Sequence, residues 1–347
     1  MLVDSPPEQR AETAPAPPSR RAIRALGLLV SVVILMLVAL ASIAIGAKEL
    51  PLDQVWHGLF HDTGTYGDVV VDERLSRTVL GLLAGAALGL SGAVLQALTR
   101  NPLADPGLLG INAGASAAVV TAITFFGVTS LDGYVWFAFV GAAAVGALVW
   151  FLGGSRGATP VRLALAGTAI SAALYGYLQA VMITDDAALG KMRFWTVGSL
   201  ASASDATILQ VLPFLAVGTL LALGLARSLN AVAMGDDTAR ALGANLNRTR
   251  ALAMLAATVL SGAATAACGP IAFVGLMVPH VVRSFTGPDL RWILPYATVL
   301  SPVLLLGADV IGRVVARPSE LQVGIVTAVI GGPVFILLVR RRRTAQL

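Results

Sequence analysis

The sequence predicts an all-α polytopic membrane protein with about ten transmembrane helices and a weak inverted repeat, and three observations carry that prediction. The 347 residues are 56% hydrophobic and 12% charged, about half the charged fraction of a soluble domain. A mean hydropathy of +0.81 is more apolar surface than one soluble core can hide. The apolar residues also gather into ten runs, where a crossing helix needs about 20 residues to cover roughly 30 Å of hydrocarbon. One cysteine, Cys268, excludes a disulfide framework or a Cys-based metal cluster. The formal charge of +5 would suggest nucleic acid in a soluble chain, but in a membrane protein its distribution sets orientation, and no nucleic-acid partner is expected.

Residues 1–19, rich in Pro, Ala and Glu, lack the apolar content to fold and are expected to be a disordered cytoplasmic tail. Residues 20–343 form one transmembrane domain. The first run, 25–47, follows Arg20, Arg21 and Arg24 and is too long for a signal-peptide core, which spans about 7 to 15 residues, so it is expected to remain as a span. The runs at 75–98, 107–127, 134–152, 161–183, 206–226 and 250–268 follow. Gly269-Pro270 then interrupts the chain, so 250–268 and 270–285 are expected to be a helix and a broken or re-entrant one. The runs at 292–312 and 322–339 complete the set.

With an even number of crossings both termini share a side. The connections on that side hold 17 of the 24 Lys and Arg residues and 7 of the 19 acidic ones. The positive-inside rule makes it the cytoplasmic side. No ionisable residue falls deep in a run; Asp205, Asp309 and Arg313 are expected at helix ends, with Asp309 pairing to Arg313 four residues on. That disfavours an ion-coupled secondary transporter, which needs intramembrane titratable groups. His57 and His61 are too loosely placed to argue for zinc, and His280 and Cys268 are expected to be packed structural residues. Neither lysine, Lys48 or Lys191, sits in a P-loop, so energy for active transport must come from another chain. An intramembrane enzyme is disfavoured because no nucleophile and base fall on facing spans.

Gly81, Gly85, Gly89 and Gly92 form small-xxx-small steps that let another helix approach closely. Leu90-Ser91-Gly92-Ala93 recurs as Leu260-Ser261-Gly262-Ala263, in spans of opposite direction, which is the weak inverted repeat. Thr168, Ser171, Tyr175 and Gln179 fall on one helical face, and such a polar stripe must meet protein or water. In the loop 227–250, Asp236 or Asp237 is expected to cap a short helix over 238–242 that Gly243 closes.

Asn-Pro-Leu-Ala-Asp-Pro-Gly-Leu-Leu-Gly-Ile at 101–111, after the Ser-Gly-Ala-x-x-Gln of Ser91 to Gln96, closely resembles the permease subunits of ABC importers for ferric siderophores, haem and cobalamin. Trp195 to Ser199, Gly269 to Leu276 with Pro279-His280, and Gly331 to Phe335 extend the likeness over about 20–343. The resemblance implies a dimeric ABC importer permease fold of ten helices per subunit, in a bacterial inner membrane, with both termini cytoplasmic. It implies as partners two ABC ATPase subunits, a second permease chain, identical or homologous, and an extracytoplasmic substrate-binding lipoprotein or periplasmic protein. It implies no cofactor and no enzymatic step in this chain. By the same resemblance Arg74, Arg77 and Arg313 would grip carboxylates of the binding protein. Ala241, Leu242 and Gly243 would seat in the ATPase, and Thr168, Ser171, Tyr175 and Gln179 would line the pathway.

Overall fold

The computed structural model describes residues 20–61, 64–128, 130–154 and 160–343; the tail 1–19 and its expected disorder lie outside them. Among the described residues there is no strand. The helices are α1 (Arg20–Ala44), α2 (Leu52–Phe60), α3 (Tyr66–Leu98), α4 (Ile111–Phe126), α5 (Leu131–Gly154), α6 (Pro160–Thr184) and α7 (Asp186–Trp195). They continue as α8 (Asp205–Gly224), α9 (Ala226–Ala233), α10 (Asp236–Ala241), α11 (Leu246–Cys268), α12 (Val274–Thr286), α13 (Leu290–Val315) and α14 (Val323–Arg343). Each of the ten apolar runs corresponds to one helix: α1, α3 to α6, α8 and α11 to α14. Seven of these, α1, α3, α5, α6, α8, α11 and α13, are long and apolar enough to cross a bilayer. The 13 residues of α12 are too few for a full crossing, in line with the break expected at Gly269-Pro270.

The second run proves longer than its hydropathy. Helix α3 starts at Tyr66, nine residues before the apolar run, because Thr65 and Asp68 make a reciprocal capping box there. Its 33 residues reach about 50 Å at 1.5 Å per residue, so its charged first turns rise past the hydrocarbon. The short helices α2, α7 and α9 were not expected: each is too short or too polar to register as a run.

Helices α3 and α11 form the centre of the bundle. In each, 78% of the most apolar window is buried, against 17% in α1 and α6. The α3 glycines explain how: Gly85 faces the backbone of Pro302, Gly89 faces Ser301, and Gly92 lies against the Gly275 carbonyl, so a Cβ at Gly92 would overlap it. Helices α13 and α12 therefore close onto α3 at backbone distance, the purpose of small-xxx-small spacing. Two motif side chains then fasten α3 to its neighbours. Ser91 Oγ donates to the Ala257 carbonyl at 2.9 Å, and Gln96 Nε2 donates to the Leu276 carbonyl at 2.9 Å.

Candidate functional site

At one end of the bundle the three expected arginines come together, but they are buried. Arg77 forks: Nη2 meets Asp309 Oδ1 at 2.7 Å and Nη1 meets Glu320 Oε2 at 2.7 Å. Arg313 Nε lies 3.1 Å from Asp309 Oδ2, the expected pair, and its Nη1 donates to the Ser42 carbonyl at 2.9 Å. Arg74 donates to the carbonyls of Ile43, Ala44 and Lys48 at 3.1, 3.0 and 2.5 Å. Arg74 and Arg313 thus satisfy the orphan carbonyls of the last turn of α1, where a cation also suits the helix dipole. Ser42 Oγ and Thr78 Oγ1, 2.8 Å apart, link the two arginines. Asp309 and Arg313 lie in the last two turns of α13, near the helix end where the sequence expects them. Asp309 is fully buried within the protein, six residues before the end of α13, and it is tolerated because two guanidiniums neutralise it.

Two of the segments that carry the resemblance, Trp195–Ser199 and the one beginning at Gly269, meet at the same end. Ser199 N donates to the Cys268 carbonyl at 2.8 Å, and Gly324 N to the Gly198 carbonyl at 3.2 Å. The loop Trp195–Ser199 is therefore clamped between the end of α11 and the start of α14. Gly269 takes φ +73° against the Trp195 carbonyl, a conformation and a space that suit glycine. These strands of loop border a cavity of 490 Å³ lined by Tyr134, Lys191, Trp195, Ser199, Thr207 and Gln322 among others.

The opposite end carries an arm. Helix α10 begins at Asp236, two residues before the expected start, with Gly235 and not an aspartate as N-cap. Asp236 is instead taken by cations: Arg100 Nη2 pairs with it, and Arg250 Nη2 meets both its oxygens at 2.9 and 2.8 Å. Burial would raise the Asp236 pKa, but the hydrogen bonds from Arg100 and Arg250 hold it below the usual carboxylate range. The helix closes as expected. Gly243 at φ +79° lets its N–H reach the Arg240 carbonyl and the Ala244 N–H reach the Ala239 carbonyl, a Schellman turn. Val232, Ala239 and Leu246 form a small separate core beneath it. On α9, Asn230 donates to Asp289 Oδ1 at 2.7 Å and accepts from Leu290 N, tying the arm to the start of α13. Leu242, at 65% exposure, is left at the tip.

The comparisons with known proteins agree with this architecture. The model of the FecCD transport family matches residues 34–341. The chain belongs to that family. It is 47% identical over 327 residues to the ferric enterobactin transport system permease protein of Escherichia coli K12, covering 93% of this chain and 96% of the relative. It is 37% identical over 317 residues to the hemin transport system permease protein of Yersinia pestis, covering 90% and 94%. A metal-chelate-type ABC transporter solved in an inward-facing conformation superposes with a TM-score of 0.81 at 27% identity, covering 91% of this chain and 99% of the other. The chain is thus a multi-pass FecCD-family permease, and its named relatives are transport subunits, not enzymes.

In this FecCD permease three residues of the polar stripe lie on the open side of α6, while the Ser171 hydroxyl is buried beside Gly110. Thr168, Tyr175 and Gln179 are exposed and Ser171 is half-buried. Helix α1 is equally uncovered, yet its open face is wholly apolar, with Leu26, Leu29, Met36 and Leu37 outward. Lipid suits the face of α1; the hydroxyls and amide of α6 require protein or water. His57 and His61 stack at 5.1 Å, with His57 Nδ1 3.5 Å from Asp68. No group of three metal-ligating side chains occurs among the described residues. Cys268 and His280 are buried, as expected. Sequence reasoning missed Glu320, Ser42, Thr78 and Asn230, whose partners lie far away in the chain. In the sequence, the four-residue spacing of Asp309 and Arg313 pointed to the first cluster.

Proposed function

We propose that this chain is the membrane-spanning subunit of an ATP-driven importer. It receives a ferric-siderophore-type chelate from an extracytoplasmic binding protein and passes it to the cytoplasm by alternating access. In this reading the arginine-cluster end is extracytoplasmic, and Arg74, Arg77 and Arg313 form the face that meets the binding protein. The arm end is cytoplasmic, with Ala241, Leu242 and Gly243 seated in one of two ATPase subunits. The open α6 face with Thr168, Ser171, Tyr175 and Gln179 borders the pathway shared with a second permease chain. The 47% identity to a ferric enterobactin permease favours a siderophore over haem, whose named relative is 37% identical.

The observation that carries this reading is the braced arm. An ATPase can move the spans only through a rigid element lodged in it, and the α9–α10 arm is held to the turn after α3 by Arg100, to α11 by Arg250 and to the start of α13 by Asn230. Of the arm's exposed apolar side chains, Met234 and Leu242, the one beside the Gly243 turn, Leu242, is free to enter a socket. Gentle affinity purification from native membranes is expected to recover an ATPase with a Walker A motif in about equal amount, together with the second permease chain and the binding protein. Radiolabelled iron uptake, measured with catecholate, hydroxamate, citrate and hemin complexes, should persist with a protonophore while ATP remains. Gly243→Arg should abolish uptake while leaving membrane insertion intact. Recovery of the chain alone, still active after reconstitution, would replace this reading with a secondary transporter.

A further inference from the structure

The three clustered arginines are not equally able to meet an outside carboxylate. Arg74 spends its donors on the carbonyls of Ile43, Ala44 and Lys48, and Arg313 spends two of its nitrogens on Ser42. No partner can replace those backbone acceptors without unravelling the end of α1. Arg77 differs. Its Nε and Nη2 hold Asp309, fully buried on α13, while its Nη1 holds Glu320. Glu320 belongs to the strap 316–322 between α13 and α14, and 34% of its side chain is open to solvent, against 10% for Arg77. If Glu320 turns outward, Nη1 is uncovered and nothing else is lost. The charge count points the same way. Three guanidiniums face two carboxylates, so without Glu320 the cluster carries two uncompensated positive charges beneath the surface.

We propose that Glu320 is an internal stand-in for the partner's docking carboxylate, and that an acidic side chain of the binding protein displaces it from Arg77. This rests on the docking role proposed above for the arginine end. The exchange swaps one carboxylate for another on the same nitrogen, so the buried guanidinium is never left unpaired. It also selects for an acidic partner, because a neutral hydrogen-bonding group would leave the excess charge uncancelled. The strap that Glu320 anchors is part of the mouth. Leu321 N bonds the Gly312 carbonyl, Gly324 N bonds the Gly198 carbonyl, and Gln322 lines the 490 Å³ cavity beside Trp195 and Ser199. Displacing Glu320 therefore removes the strap's side-chain tie to Arg77 beside that cavity and leaves its backbone bonds in place.

The test uses the intact complex in lipid nanodiscs and, as probe, the binding protein recovered with it. Glu320→Gln keeps the side chain's shape, and because that side chain is partly exposed the variant should fold. The expected result is docking about tenfold tighter at low salt, the scale of one hydrogen bond to a charged group. Glu49→Gln, which removes a carboxylate at the same end that pairs with Arg317, should change docking little. A membrane-impermeant maleimide should label Gln322→Cys faster when Glu320→Gln is added than in the native background, because the strap then lacks its tie to Arg77. Arg77→Lys keeps a charge on Asp309 but lacks a fork to a second carboxylate, so Glu320→Gln should add nothing in that background. Unchanged or weaker docking by Glu320→Gln, or equal tightening with Arg77→Lys, overturns the exchange. Native docking by Arg77→Lys instead overturns the docking role of Arg77 itself.

Discussion

Both ends of the bundle are held by arginines sharing a carboxylate, and the two constructions behave as opposites. At the mouth, Arg77 and Arg313 share Asp309 with almost no solvent contact, their side chains 10%, 2% and 0% exposed. At the arm, Arg100 and Arg250 share Asp236, and a third of that carboxylate is open to solvent. The same residue types therefore do different physical work. In the dry cluster each group is held in place because losing a partner strands a buried charge. In the wet cluster water reaches Asp236 and Arg100, so the contact sets geometry and contributes little energy. Under the proposed function, an end that survives repeated docking would suit the first arrangement, and an arm that follows an ATPase would suit the second.

The largest effect should come from breaking the dry cluster. Asp309→Asn leaves Arg77 and Arg313 without their shared anion and should destabilise the protein by about 3 to 5 kcal/mol, as for one partner removed from a buried pair. Thermal unfolding of the purified chain in detergent measures this, and an unchanged midpoint would mean that water reaches Asp309. Next comes Arg74→Ala, which strips three carbonyls at the end of α1 of their donor. A loss of about 2 kcal/mol is expected, since a buried acceptor left unsatisfied costs about 1 to 3. Proteolysis or hydrogen exchange should locate the fraying at residues 42–48.

These two effects mark where the sequence stops being readable. All ten apolar runs were legible because lipid demands long apolar helices whatever their neighbours are. The Asp309–Arg313 pair was legible because four residues make one helical turn. The start of α3 was not, because hydropathy ends at its charges while the capping box of Thr65 and Asp68 carries the helix on. Nor was the link from Arg77 to Asp309, 232 residues apart, for which no spacing rule exists. Arg74 and Arg77 stood out from the sequence as unusual charges, but their burial became visible only once α1, α3 and α13 were packed together. At the arm, the glycine stop at Gly243 could be read locally, whereas the brace from Asn230 to Asp289 could not.

At the arm end the effects should shrink. Asp289 caps α13 and holds Asn230, and the hydrogen bond from Arg291 is the main cause that lowers its pKa to about 2. Asp289→Ala should cost about 1 kcal/mol, the usual value of a lost N-cap. Because the folded-state pKa is depressed, the contribution is present above the unfolded value near 4 and fades only as pH falls toward 2. The difference between variant and native chain should therefore be constant from pH 8 to pH 5 and vanish below about 2.

Asp236→Asn should have the smallest effect on stability and a larger one on transport. Asp236 and Arg100 are each about a third exposed, so the loss should stay under about 1 kcal/mol and diminish further with added salt, where surface pairs are screened. The arm nonetheless depends on Asp236 for direction, since this one side chain ties the first turn of α10 to both Arg100 beyond α3 and Arg250 on α11. Without it, α10 keeps its helix and its Gly243 turn but gains freedom to swing about the Val232–Leu246 core. ATPase activity in the reconstituted complex should then run on while substrate uptake per ATP falls. If Asp309→Asn and Asp236→Asn lost equal stability with the same salt dependence, the contrast between a dry and a wet cluster would be wrong. If Asp236→Asn left the coupling ratio unchanged, Asn230 and the small core alone would suffice to aim the arm.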